Sequence, residues 1–375
     1  MPVYRAPGVY VEEIASEHWT IEPVPTSIAA FLGATAEGPT DTPVSLYNSG
    51  DFERAFGRLD PALPLPVAVA RFFEQGGGQA VVVRVGGLDG APDAAALIGD
   101  AAAGTGLHAF ERVDTINLLL TPGISDPAVQ AAALDYAERR RALLLIDLPE
   151  NVETPAAALE WRAANPGLLR PEAAAWFPRL AVFDPRTGQV GPILGNTGAI
   201  AGIIARTDVQ RGIWKAPAGT GADLSASLVP ALAVDDDGNR KLNPAGINAI
   251  RRFPARGTLV WGGRTLSTDP EWKYIPVRRL HLHILESLAR GLRRAALEPD
   301  GERLRARARE AADGFLDGLF RAGAFAGRTP REAWFVQTVD LPGSAGGGFD
   351  LLVGHAPVRP GEFLIAKLRV ATAPA

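Results

Sequence analysis

Five histidines, at 18, 108, 281, 283 and 355, are the side chains best suited to acid–base work or metal ligation. His281 and His283 stand two apart, so on a helix they point to different sides and cannot close on one metal ion. Both read as packed or solvated. Asp235-Asp236-Asp237-Gly238-Asn239 suggests a calcium loop. With Gly238 at the sixth loop position, Ala233 falls at the first and Pro244 at the twelfth, where acids are required, so the run reads as a solvated turn. Gly104-Thr105-Gly106 and Gly219-Thr220-Gly221 lack the strand–glycine–helix spacing of a phosphate loop. Gly343-Ser344-Ala345-Gly346 lacks the glycine placement of a nucleophile elbow. There is no cysteine, which excludes thiol catalysis, disulfides and cysteine-ligated zinc. No cofactor or metal is expected. An α/β enzyme whose polar groups meet only in three dimensions stays open as an alternative.

The elements that would position any such groups are those of a soluble protein of two or three folding units, as 375 residues suggest. Hydrophobic residues at 47% and charged residues at 21% rule out a mainly disordered chain. No apolar run approaches the roughly 20 residues of a membrane helix, and no secretory signal opens the chain. A net charge of −4 argues against a general nucleic-acid binder. Lysine occurs only at 215, 241, 273 and 367, so 34 of the 38 basic residues are arginine. Genome composition explains such a bias, and so does use of the guanidinium fork at subunit contacts. Residues 274–309 concentrate it: nine arginines against four acids give a local charge of +5, leaving −9 for the rest.

Short apolar runs at 28–33, 80–85, 116–120, 142–147 and 180–183 read as strands. Helices are expected at 51–57, at 66–74 with Gly76-Gly77-Gly78 as the stop, and from 127 to 141. This alternation points to an open, largely parallel α/β sheet. After Ile200 the chain reads as loop-rich. Two long helical stripes follow, Val277, Leu280, Ile284, Leu285, Leu288, Leu292 and then Leu304, Ala308, Ala311, Phe315, Leu319. The termini carry β-prone runs between proline and glycine breaks, Gly8-Val9-Tyr10-Val11-Glu12-Glu13 and Phe363-Leu364-Ile365-Ala366-Lys367-Leu368.

Several segments resemble, in order, the tail sheath proteins of contractile phage tails and contractile injection systems. Pro7 to Glu13 is similar to the family's opening arm, and Thr26 to Gly33 with Gly38-Pro39 to its first strand and turn. Asp184 to Gly188, Ala201 to Asp208 and Arg211 to Gly219 are similar to its middle. The strongest block runs from Leu242 to Arg279, with Trp261-Gly262, Arg264-Thr265-Leu266-Ser267 and Glu271-Trp272-Lys273-Tyr274-Ile275-Pro276. Gly327 to Val336 and Ala356 to Phe363 continue the match. The family's aromatic residues are missing across Gly291 to Ala296, and the stretch between Asp340 and Phe349 is short and glycine-rich.

The resemblance implies a non-enzymatic subunit that polymerises as stacked rings around an inner tube and contracts to drive the tube through a target envelope. A metastable extended lattice needs no fuel site. It implies an α/β (α+β overall) fold with an open mixed sheet. The segments would be an arm at 1–25, an outer body at 26–240, a tube-facing core with long helices at 241–360, and an arm strand at 361–375. Both arms would be exchanged between subunits. An extended linker of ten residues spans roughly 33 Å, enough to reach a neighbour. Arg303, Arg305, Arg307 and Arg309 flank the second apolar stripe and are expected to face the tube. The implied partners are other copies, the tube, baseplate and cap proteins, with no nucleic acid and no membrane insertion. Assembly would be cytoplasmic, within a phage tail or a releasable particle. A non-contractile tail or surface assembly protein is the further alternative.

Overall fold

The computed structural model describes residues 19–86, 92–184, 186–298, 301–340, 348–358 and 364–370. The expected arm strand Gly8 to Glu13 lies outside them, as does Phe363. From its N-terminal side the chain forms β1 (Ala29–Gly33), β2 (Val44–Leu46), α1 (Ser49–Phe56), α2 (Pro64–Glu74), β3 (Ala80–Arg84), α3 (Ala94–Ile98), β4 (Leu118–Leu120), α4 (Pro127–Arg139) and β5 (Leu143–Ile146). Then come α5 (Pro155–Ala164), β6 (Ala173–Phe177), β7 (Leu180–Phe183), β8 (Val190–Leu194), α6 (Thr197–Arg211), β9 (Leu228–Pro230), α7 (Asp236–Leu242), β10 (Ile247–Phe253) and β11 (Gly257–Val260). The C-terminal unit comprises α8 (Ile275–Gly291), α9 (Glu302–Arg321), α10 (Pro330–Ala333), β12 (Trp334–Asp340), β13 (Phe349–His355) and β14 (Leu364–Val370).

An eight-stranded sheet in the order β11-β10-β6-β5-β4-β1-β3-β2 forms the body. The strands from β10 to β3 run parallel, and antiparallel β11 and β2 close the two edges. A parallel sheet is covered on both faces, so its strands are apolar throughout rather than alternating. Ala30, Leu32, Val81, Val83, Leu144 and Ile146 point to one core, with Val129, Ala133 and Tyr136 of α4. Phe31, Val82, Leu120, Leu143 and Leu145 point to the other, with Phe52 and Phe56 of α1, Phe72 of α2 and Ile200, Ile203 and Ile204 of α6.

Three sequence readings change. The loop-rich stretch after Ile200 contains α6, a helix of 15 residues. It is buried nearly all round from Thr197 to Ala205 and so lacks an apolar stripe. Two glycines seat it against α2: a Cβ on Gly198 would stand 2.2 Å from the Ala68 carbonyl oxygen, and one on Gly202 2.4 Å from that of Phe72. Asp235 to Asn239 is the start of a helix rather than a turn, because the Asp235 carboxylate caps the Gly238 N–H at 2.7 Å. Strand β7, read as belonging to the main series, sits in a separate three-stranded antiparallel sheet, β8-β7-β9. The body sheet also extends past residue 240, since β10 pairs in parallel with β6.

The C-terminal unit has its own core. The stripes of α8 and α9 meet Trp334, Phe349, Leu351 and Val353 of the antiparallel sheet β12-β13-β14. Helix α8 joins the two units: Ile275 packs in the body, and Leu280, Ile284 and Leu288 pack in the C-terminal core. Among the described residues no helix is long and apolar enough to cross a membrane.

Candidate functional site

Pro276 in the first turn of α8 starts the helix with its φ already set. The next residues turn two arginines onto the body. Arg279 is buried, with Nη1 and Nη2 donating to the Asp208 carboxylate at 2.8 and 2.7 Å and Nη2 also to the Thr26 carbonyl at 2.7 Å. Both partners' side chains are 3% exposed, so this is a forked, fully enclosed ion pair. Arg278 pairs with buried Glu172 and lies 4.6 Å over the Trp272 ring.

Two turns further along α8, Glu286 accepts from Arg290 at 2.5 Å and from Arg141 of the body at 2.6 Å. Burial alone would raise the Glu286 carboxyl, but these hydrogen bonds and charges outweigh it and hold it below the usual range. Arg290 also holds the Asp114 carboxylate and donates to the Asp114 carbonyl at 2.7 Å. Beyond α8, Arg294 reaches the Thr20 carbonyl at 3.0 Å and lies 5.1 Å over Trp19. Much of the arginine excess around α8 is therefore spent within the chain, on acids from α6, the start of β6 and the loop before β4.

Of the two readings left open for the histidines, packed or solvated, His281, His283 and His355 take the first. His281 Nδ1 lies 3.1 Å from His355 Nε2, tying α8 to β13, and both are buried. Burial, with the neighbouring His355 and Arg278 charges, pushes His281 down to about 2, and burial pushes His355 down to about 4. Both rings are neutral in ordinary buffers, and they titrate as a pair. Among the described residues no group of three or more His, Asp or Glu could hold a metal ion.

On α9, Arg303 is exposed and Arg305, Arg307 and Arg309 are half-buried along the apolar stripe. Arg307 lies 3.4 Å from Glu298, Arg309 3.9 Å from Glu302, and Arg305 is 5.8 Å over the Phe349 ring. Strand β14 pairs antiparallel with β13 of its own chain, from Leu364 opposite His355 to Val370 opposite Phe349. It is an edge strand of that sheet. Nothing local in the sequence marks Asp208, Glu172 and Glu286 as a set: Asp208 and Glu172 meet arginines of a distant element, and Glu286 joins Arg290 of its own helix to Arg141 of the body.

A family model for the phage tail sheath protein central domain matches residues 94–266, from α3 through β11. The whole chain is similar to a sheath chain of an extracellular contractile injection system, the PVC sheath complex in its contracted state. The identity is 27%, with 98% of each chain covered and a TM-score of 0.76. The chain is homologous to contractile tail sheath proteins. The chain is also similar to a chain of the anti-feeding prophage baseplate, at 29% identity over 98% of this chain and 99% of that one, TM-score 0.71. A Pseudomonas aeruginosa (strain UCBPP-PA14) chain named as a prophage major tail sheath protein is 29% identical over 277 residues, covering 69% of this chain and 68% of the relative.

Proposed function

We propose that this chain is the repeating structural subunit of a contractile sheath. It polymerises helically as stacked rings around an inner tube, attached to a baseplate and a terminal cap. Passage from a metastable extended lattice to a contracted one drives the tube through a target envelope. The observation that carries this reading is the end-to-end likeness to a contracted sheath chain, which spans both units rather than one shared module. Heterologous contacts that do not close on themselves generate such a helix. Assembly takes place in the cytoplasm, within a phage tail or tail-like particle.

In this reading residues 1–25 and 361–375 are arms, and the strands Gly8 to Glu13 and Phe363 to Leu368 are exchanged between subunits. An edge strand supports such exchange, since main-chain hydrogen bonds accept an equivalent strand from another copy. The body, residues 26–240 together with β10 and β11, faces outward and the helical core, the remainder of residues 241–360, faces the tube, with Arg303, Arg305, Arg307 and Arg309 opposite an acidic band on it. Exposed ion pairs of about 0–1 kcal/mol each hold by number and break singly.

Negative-stain microscopy of the purified chain tests the function. Hollow, cog-like tubes are expected, and a chain that stays monomeric under all assembly conditions overturns it. Charge reversal in Arg303→Glu with Arg307→Glu tests the tube contact: sheaths that still form on tubes and stay extended refute that assignment.

A further inference from the structure

Between the C-terminal end of α4 and the second half of α8 lies a polar cavity of about 300 Å³. Six arginines line it, 139, 140, 141, 279, 290 and 293, against the acids Glu111, Asp114 and Glu286. The acids do not use up the cations. Arg141 and Arg290 share Glu286, and Arg290 also holds Asp114. Arg140 donates to the carbonyls of Phe110 and Val113 and to the Tyr136 hydroxyl, with Glu111 at 3.5 Å. Arg279 belongs to Asp208. Arg139, which lies 5.4 Å over the Tyr136 ring, and Arg293 have no carboxylate partner among the described residues.

Two further features mark the cavity. His283 lines it, is 7% exposed, and its buried Nδ1 has no hydrogen-bond partner. A buried polar atom left unpaired costs stability unless something fills its valence. Arg141 adopts φ +53, a left-handed conformation that glycine usually supplies after a helix. The chain keeps an arginine there and turns its guanidinium toward α8.

We infer that this cavity binds a small polyanion bearing carboxylate or phosphate groups. Arg139 on the body and Arg293 just past α8 each offer a planar fork of donors, the geometry that suits both kinds of anion. The His283 ring closes the wall behind them. A bound anion would touch both units at once and tie α4 to the end of α8. This inference does not depend on the sheath reading.

The test is isothermal titration calorimetry of the full-length chain with inorganic pyrophosphate and, separately, with succinate, at constant ionic strength. Saturable binding of at least one, at one anion per chain, is expected, and which one binds separates phosphate from carboxylate recognition. Arg139→Ala with Arg293→Ala should weaken binding about tenfold, as loss of two partly exposed charge contacts implies. Arg186→Ala, at an exposed site elsewhere, should leave it unchanged. No saturable binding of either anion, or equal binding by the double variant, overturns the inference. Circular dichroism melts check that the double variant folds; if it does not, Arg293→Ala alone makes the same comparison.

Discussion

In the body sheet the strands β1, β3, β4, β5 and β6 are buried on both faces by apolar side chains, whereas the seam along α8 is crossed by four arginines, each on a carboxylate. Apolar contact is non-directional and scales with buried area. A forked ion pair is directional and tolerates few geometries. The body therefore holds together as one piece. The seam holds in one register, and that register depends on partners being present together.

The largest expected effects set the two regions side by side. Phe31 is fully buried and meets Phe72 edge-on at 5.6 Å. Phe31→Ala should cost about 3–5 kcal/mol in denaturant unfolding. Arg279→Met should cost about as much, 3–5 kcal/mol, because it strands the buried Asp208 carboxylate. The compensated variant, Arg279→Met with Asp208→Leu, separates the two mechanisms. It should regain most of the loss, since both buried charges are then gone. Failure to regain it would mean that the seam is held by shape, as the body is.

Next in size is a response to acid. An unfolded histidine titrates near 6.5, whereas His355 is held down at about 4 and His281 at about 2. Below pH 6.5 the unfolded chain binds protons that the folded chain refuses. Stability is thus complete above about pH 6.5 and falls as the pH drops toward 4, by about 3 kcal/mol for His355. His355→Gln should make this portion of the profile shallower in thermal melts between pH 7 and 4.5, leaving the share of His283, which burial also pushes down to about 4. An unchanged slope would remove the pair from the account. The smallest effect belongs to the body surface. Arg170→Ala, which breaks exposed pairs with Asp135 and Glu138, should cost less than about 1 kcal/mol.

The sequence displays those features whose cause is local. The apolar runs of β1, β3, β4 and β5 and the stripes of α8 and α9 follow from burial on two faces or on one. Helix α6 stays hidden because burial on every side erases the stripe that would announce it. Asp235 suggests the wrong partner: its carboxylate caps a helix instead of bending a loop. The arginine excess around α8 is visible, but its meaning is not. Arg278 and Arg279 find Glu172 and Asp208 across separations of 106 and 71 residues, and only the folded sheet brings these together.

The cations along this seam share one chemical property. Each is a guanidinium, which keeps its proton across the whole workable range, where a lysine would begin to lose its own near 10.4. Arg290 and Arg141 hold the Glu286 carboxyl below its usual range, and the histidine pair stays neutral in base. Rising pH therefore leaves Glu286 and the histidine pair as they are, while falling pH reaches the imidazoles and then that carboxylate. The joint acts as a one-way valve for protons: alkali leaves its grip intact, and only acid loosens it.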